Sequence, residues 1–162
     1  ARNEVNITDA RGVDGRGGSV SRGGAPTGRA IADQYNCTAC HAGFNFTDEK
    51  FHNLGLGWDD NKVDLGRYMV TKNAEDIGAF KTPTLREIAR SAPYTHDGRF
   101  KTLQEVVNFY NQGGVKNPHQ DPLIIPLELT DEEKRDLVEF LHTLNGDGTG
   151  SQHVKAPKSF PK

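Results

Sequence analysis

The chain is short of the residues that usually build a core. Of its 162 residues only 34% are apolar, with two cysteines, one methionine and one tryptophan, and its mean hydropathy is -0.70. A disulfide scaffold is excluded, because two cysteines make one bridge at most and these stand three positions apart, where a bridge is strained. No apolar run approaches the ~20 residues that cross a bilayer, which points to a soluble chain. Charge of one sign is lacking too. Twenty Lys and Arg against 22 Asp and Glu leave a net charge of -2, without the basic stripe that nucleic acid binding calls for. Strand-like alternation and internal repeats are absent. The sequence opens Ala1-Arg2-Asn3 with no leader-like apolar stretch, so the numbering is expected to start after a processing event. One domain is the expectation for this length.

Both cysteines fall in one pentapeptide, Cys37-Thr38-Ala39-Cys40-His41. Cys-x-x-Cys-His is the attachment pattern of a c-type haem. Thiols at this spacing can each form a thioether to one of two vinyl groups on a haem edge, and the following histidine then lies under the ring with a nitrogen on the iron. Chance would produce the pattern in roughly one chain in a thousand of this length. A zinc site would want a second Cys/His pair, which two cysteines cannot supply. A redox dithiol would want a strand-to-helix context, and the flanks Tyr35-Asn36 and Ala42-Gly43-Phe44 do not offer one. A covalent haem would also offset the shortage of apolar residues, since side chains can pack on its faces. Covalent attachment takes place outside the bacterial cytoplasm, so the expected compartment is the periplasm.

Residues 1–25, rich in Gly and Arg, read as a flexible arm. No Gly-Lys-Ser/Thr follows those glycines, which excludes a phosphate loop. A domain is expected over 26–145 and a loose tail over 146–162. A short helix should run from Ala25 to Asn36 into the motif, then a long loop over 42–66, and a helical turn at Leu85 to Arg90. Two helices open with capping boxes, Thr102-Leu103-Gln104-Glu105 and Thr130-Asp131-Glu132-Glu133. Gly113-Gly114 stops the first. In the second, Leu137, Phe140, Leu141 and Leu144 share one face and Gly146 follows as a stop. Pro118 to Pro126 is a proline-punctuated connection. The predicted class is all-α with long loops.

With His41 on one side of the iron, the opposite position sets the chemistry: a thioether suits an electron carrier, a phenolate favours oxidised states, and an open site admits peroxide. Met69, the single methionine, suits gap-filling packing as well as ligation. Tyr110 lies on the apolar face of its helix with Leu103, Val106 and Val107, where spacing alone favours core packing. His52, His119, His142 and His153 read as surface or loop residues. His96, in the turn-like Tyr94-Thr95-His96-Asp97-Gly98, either reaches the haem pocket or orders the turn.

Several unusual segments occur in one order. The first block is Cys37 to Gly43, Phe46-Thr47-Asp48, Phe51-His52-Asn53 and Gly66-Arg67. The second is Gly78-Ala79-Phe80-Lys81-Thr82-Pro83-Thr84-Leu85-Arg86, then Ala92-Pro93-Tyr94-Thr95-His96-Asp97-Gly98. The third is Phe109-Tyr110-Asn111-Gln112-Gly113-Gly114, with Leu129-Thr130 and Leu137 to Leu141 after it. Over residues 28–145 this resembles the C-terminal haem domain of the bacterial di-haem cytochrome c peroxidase and MauG family, closer to its MauG-like members. The resemblance implies a cytochrome c-like domain with one covalent haem c. It implies a distal ligand from the helix carrying Tyr110, where peroxidases proper have methionine and MauG-like proteins tyrosine. It implies a calcium held in part by the Ser91 and Pro93 carbonyls, and a His96 close to the haem. Arg67 and Arg86 are candidate propionate partners, since guanidinium matches carboxylate geometry, with surface ion pairs as the alternative.

Family members carry two haem domains, whereas this chain has one attachment motif, and its segment Pro26 to Ala32 departs from the family pattern. The resemblance therefore implies a haem-bearing half whose second haem lies on another chain or domain. Tyr110 and His96 would serve the chemistry, relaying electrons or storing oxidising equivalents for peroxide-dependent oxidation with a redox protein partner. The alternatives are a stand-alone periplasmic electron carrier, and a single-haem peroxidase or sensor in which Tyr110 swings away. Trp58 suits packing, or an electron route.

Overall fold

The computed structural model describes residues 27–59 and 62–146. The expected arm 1–25 and, apart from Gly146, the expected tail 146–162 lie outside the described residues. Helix α1, Gly28–Gln34, starts at Thr27, whose hydroxyl accepts a long hydrogen bond (3.5 Å) from the Ala30 amide. A 3-10 turn, Cys37–Ala39, follows. Strand β1, Phe51–His52, comes next, then β2, Trp58–Asp59, and β3, Lys62–Val63. After them come the one-turn helix α2, Tyr68–Thr71, and strand β4, Phe80–Lys81. Helix α3, Leu103–Asn111, and helix α4, Asp131–Thr143, complete the order.

Both capping boxes form. The Thr102 hydroxyl accepts from the Glu105 amide at 3.2 Å and the Glu105 carboxylate accepts from the Thr102 amide at 2.8 Å. The Thr130 and Glu133 pair repeats this at 3.3 and 2.8 Å. Two otherwise orphaned donors at each helix start are thereby satisfied. In α4, Asp131, Glu132 and Glu133 in the first turn and His142 in the last complement the helix dipole.

The core is made where α1 and α3 pack on α4. Ile31 and Ala32 of α1 meet Val107 of α3, Leu129, and Leu137 of α4, with Tyr35, Cys37, Phe140 and Leu141 packed against them. Gly28 is required at the α1–α4 crossing, because a Cβ there would lie 1.9 Å from the Asp136 carbonyl oxygen. The haem-attachment turn is thus fixed directly to the three-helix core through Cys37.

Two expectations are corrected. The chain is mostly helical but not cleanly all-α, since β1 pairs antiparallel with β4 (Phe51 opposite Lys81, His52 opposite Phe80) and β2 with β3 (Trp58 opposite Val63). The expected loop 42–66 therefore contains β1, β2 and β3. Two-residue strands are too short to display the alternation by which a sequence announces a strand. The expected helical turn at 85–90 is a 3-10 turn over Ile88–Arg90 only. A buried side chain ties the loops instead: Asn53 is 3% exposed. Its Nδ2 donates to the Ile77 carbonyl at 2.7 Å and to Asn117 Oδ1 at 3.1 Å. Its Oδ1 accepts from the Gly55 amide at 2.7 Å and from Asn117 Nδ2 at 3.2 Å.

Candidate functional site

The attachment motif begins where Asn36, in the left-handed conformation (φ 63), breaks the chain away from α1. The His41 amide donates to the Cys37 carbonyl at 2.9 Å, so the motif is one closed turn with both sulfurs half-buried. Burial, aided by the charge of Cys40 and Asp33, pushes the Cys37 thiol up to about 11 against an opposing backbone hydrogen bond. Burial and the charges of Asp48 and Asp121 push Cys40 up as well. The free thiols are therefore protonated at neutral pH, which disfavours the thiolate chemistry of a redox dithiol.

His41 is prepared as a metal ligand. Its Nδ1 lies 2.9 Å from the Phe46 carbonyl oxygen. A carbonyl only accepts, so Nδ1 carries the proton and the Nε2 lone pair is left for iron. Burial lowers the ring's pKa, against the carbonyls of Phe46 and Pro83, which favour its N–H. The imidazole is thus neutral. The carbonyl is aimed by a tight loop: the Thr47 amide donates to the Ala42 carbonyl at 3.0 Å and the Asp48 amide to the Cys40 carbonyl at 2.7 Å. Phe46 is left-handed (φ 51) to make that turn.

Tyr110, on α3, stands near both sulfurs. Burial pushes its phenol well above the ordinary tyrosine range, and the nearby Cys37 and Cys40 act in the same direction. Its ring meets Phe109 edge-on at 6.0 Å, and no hydrogen bond from its hydroxyl is made among the described residues. Two sulfurs, a neutral imidazole with Nε2 free and an uncommitted phenol fit a c-type haem.

The remaining predicted residues are placed elsewhere. Met69 lies on α2, 59% exposed. Arg67 stacks over the Phe51 ring at 3.9 Å and pairs with Asp76 at 3.4 Å. Arg86 stacks over Phe44 at 3.9 Å. It also lines a polar surface cavity of about 350 Å³ with Asn45, Thr47, Glu49, Lys81 and Thr84. His96 stacks flat on Phe80 at 3.5 Å and its Nε2 lies 3.2 Å from Asp64, so its contacts do not join it to Tyr110. Ser91 and Pro93 are exposed, with a cis peptide between Ala92 and Pro93. Two carbonyls supply about a third of a calcium shell at most, so these residues alone do not hold that ion. Trp58 lies 6.0 Å from the His119 ring.

A cluster escaped sequence reasoning. Asp48, His52 and Asp121 form a line: His52 Nε2 lies 3.0 Å from Asp48 and Nδ1 2.6 Å from Asp121. Their side chains are 13–18% exposed. Cys40, Asp48 and His52 have ligating atoms within 4.8 Å of one another, but a cysteine sulfur spent on a thioether leaves no thiolate, and both His52 nitrogens are occupied. Asp121 is 69 residues from His52, so no local signal could have found the set.

Comparison with known proteins shows what the chain as a whole is similar to. Residues 25–145 match the family described as cytochrome c. The chain is 37% identical over 137 residues to the cytochrome-c peroxidase IdrP1 of Pseudomonas sp. (strain SCT), covering 67% of this chain and 36% of that protein. It is 38% identical over 133 residues to the methylamine utilization protein MauG of Methylorubrum extorquens, covering 80% of this chain and 37% of that protein. The chain thus spans little more than a third of these relatives. Among solved structures, a MauG-like protein associated with microbial copper homeostasis superposes with a TM-score of 0.67 at 32% identity, covering 75% of this chain and 46% of that one.

Proposed function

The chain belongs to the cytochrome c family, related to the cytochrome c peroxidases and MauG, and on that premise we propose that it is the haem-bearing half of a di-haem peroxidase or MauG-like oxidoreductase. Cys37 and Cys40 would hold the haem, with His41 Nε2 and the Tyr110 hydroxyl as the protein's donors to its iron. The observation that carries this reading is the Tyr110 phenol on α3, which stands beside the two attachment sulfurs and makes no hydrogen bond among the described residues.

The bound haem supplies one-electron redox chemistry. Around it the chain's own residues set the conditions. The Phe46 carbonyl holds the His41 proton on Nδ1 and makes the imidazole a stronger donor. As a phenolate, Tyr110 would be a hard anionic donor, which favours the oxidised state of the iron. Such a site suits relaying electrons or holding oxidising equivalents for a peroxide-dependent oxidation carried out with a second haem. That second haem belongs to a domain or chain beyond these residues, in keeping with relatives of which the matched stretch is little more than a third. A calcium shared with that domain would take the Ser91 and Pro93 carbonyls as part of its shell, His96 would stand close to the haem and serve its chemistry, and Arg86 with Arg67 would reach the propionates. The compartment is the periplasm, where c-type haem attachment occurs.

The test is ferric absorption and EPR of the haem-loaded protein, with Tyr110→Phe and Met69→Leu compared, and native mass spectrometry of the protein from its source. Loss of the wild-type spectrum in Tyr110→Phe alone, with two haems per particle, is expected. A change in Met69→Leu alone, or one haem on a lone chain, would favour a single-haem electron carrier.

A further inference from the structure

The Asp48–His52–Asp121 line joins two parts of the site that the sequence keeps apart. At one end, Asp48 closes the loop that aims the Phe46 carbonyl at His41, through its amide on the Cys40 carbonyl and its Oδ1 on the Lys50 amide at 3.0 Å. At the other end, Asp121 begins the segment hung from the end of α3. Its neighbour Gln120 donates to the Gly113 carbonyl at 2.6 Å. Further along, the Leu127 amide donates to the Asn111 carbonyl at 3.1 Å and the Leu129 amide to Asn111 Oδ1 at 2.7 Å. Asn111 directly follows Tyr110.

His52 lies between these ends with each ring nitrogen against a carboxylate oxygen. Carboxylates accept and do not donate, so both nitrogens carry protons and the ring is an imidazolium. Two charge-assisted bonds in a largely buried setting are short and directional. His52 is itself held in β1, against Phe80 of β4. An axial pair serves its metal only while both donor atoms stay within ~0.5 Å of their working positions. The proximal donor depends on the 42–48 loop and the distal one on the end of α3.

We propose that His52 is a positioning residue that holds the His41 side and the Tyr110 side of the haem site in register, by clamping Asp48 to Asp121. This rests on the reading of Tyr110 as distal ligand. The raised pKa of His52 agrees with it: burial pulls the pKa down, and the bonds to Asp121 and Asp48 outweigh that pull.

The experiment uses the haem-loaded protein and its variants His52→Gln and Asp121→Asn, read by ferric absorption and EPR, midpoint potential and urea unfolding, with Tyr110→Phe as control. The expected result is a several-fold rise in the high-spin, tyrosine-off fraction in His52→Gln, with a displaced potential, and a smaller rise in Asp121→Asn. Should His52→Gln fail to load haem, Asp121→Asn alone decides, because it keeps the side chain's size. A fall in stability with unchanged spectrum and potential would make His52 merely structural and overturn the proposal. If Tyr110→Phe leaves the spectrum unaltered, the distal-ligand reading is what fails, and the proposal falls with it. If Tyr110→Phe alters the spectrum and neither clamp variant does, the proposal alone is lost.

Discussion

Replacing Asn53 by alanine tests whether one buried amide holds the loops around the site. The substitution removes the partners of three groups: the Gly55 amide, the Ile77 carbonyl and the Asn117 side chain. A polar group left buried without a partner costs about 1–3 kcal/mol. Gly55 is buried and takes a cost in that range, while Ile77 and Asn117 are half-buried and take the low end, since water can reach them. The sum is about 3–5 kcal/mol, a large share of the ~5–15 kcal/mol that a domain possesses. Urea unfolding of the haem-loaded protein, followed by haem absorption and Trp58 fluorescence, measures it. With a slope of about 2 kcal/mol per molar, the midpoint should drop by about 2 M at unchanged slope. Asn117→Ala should cost about 1–2 kcal/mol, and the double variant less than the sum, because the two amides share bonds. A drop below about 0.5 M for Asn53→Ala, or strict additivity, would refute the argument that the Gly55 bond is dry and the two amides are coupled.

Gly28→Ala should force α1 off α4, since its Cβ would sit 1.9 Å from the Asp136 carbonyl oxygen; a loss of at least about 1–3 kcal/mol in thermal unfolding is expected, and an unchanged melting temperature would disprove the close approach. The Asp48–His52 pair gives stability two pH edges. His52 has a raised folded pKa, so its contribution is complete below its unfolded pKa of about 6.5 and is lost as pH rises through the higher folded value. Asp48 has a lowered folded pKa: burial raises it, and the Lys50 amide, His52 and Thr82 lower it further than that. Its contribution holds above about pH 4 and is lost as pH falls through the folded value. Melting temperatures of wild type and His52→Gln should therefore differ most near pH 5 and converge at alkaline pH; a gap constant across that range would show that His52 carries no charge.

The attachment motif, both capping boxes and the apolar face of α4 were legible because each is local. Cys37 to His41 is one turn of chain, and Thr102 and Glu105 are three residues apart by the geometry of a helix start. The resemblance in segment order was legible too, and it pointed to Tyr110 where spacing alone favoured packing. The ribbons were not, because β1 finds β4 across about thirty residues and two residues show no period. Neither was the Asp48–His52–Asp121 line, which joins two loop residues to one in a two-residue strand.

By itself, then, the sequence determined the chemistry available: two thiols and an imidazole at haem-attachment spacing, and helices that start where a threonine and a glutamate can cap them. Tertiary structure decided which donors meet. Only packing of α1 and α3 on α4 sets Tyr110 beside Cys37 and Cys40 while leaving Met69 on an exposed turn. Only the closed 40–48 loop fixes the His41 proton on Nδ1, because a hydrogen bond depends on distance and direction in space, and neither is written in the order of residues.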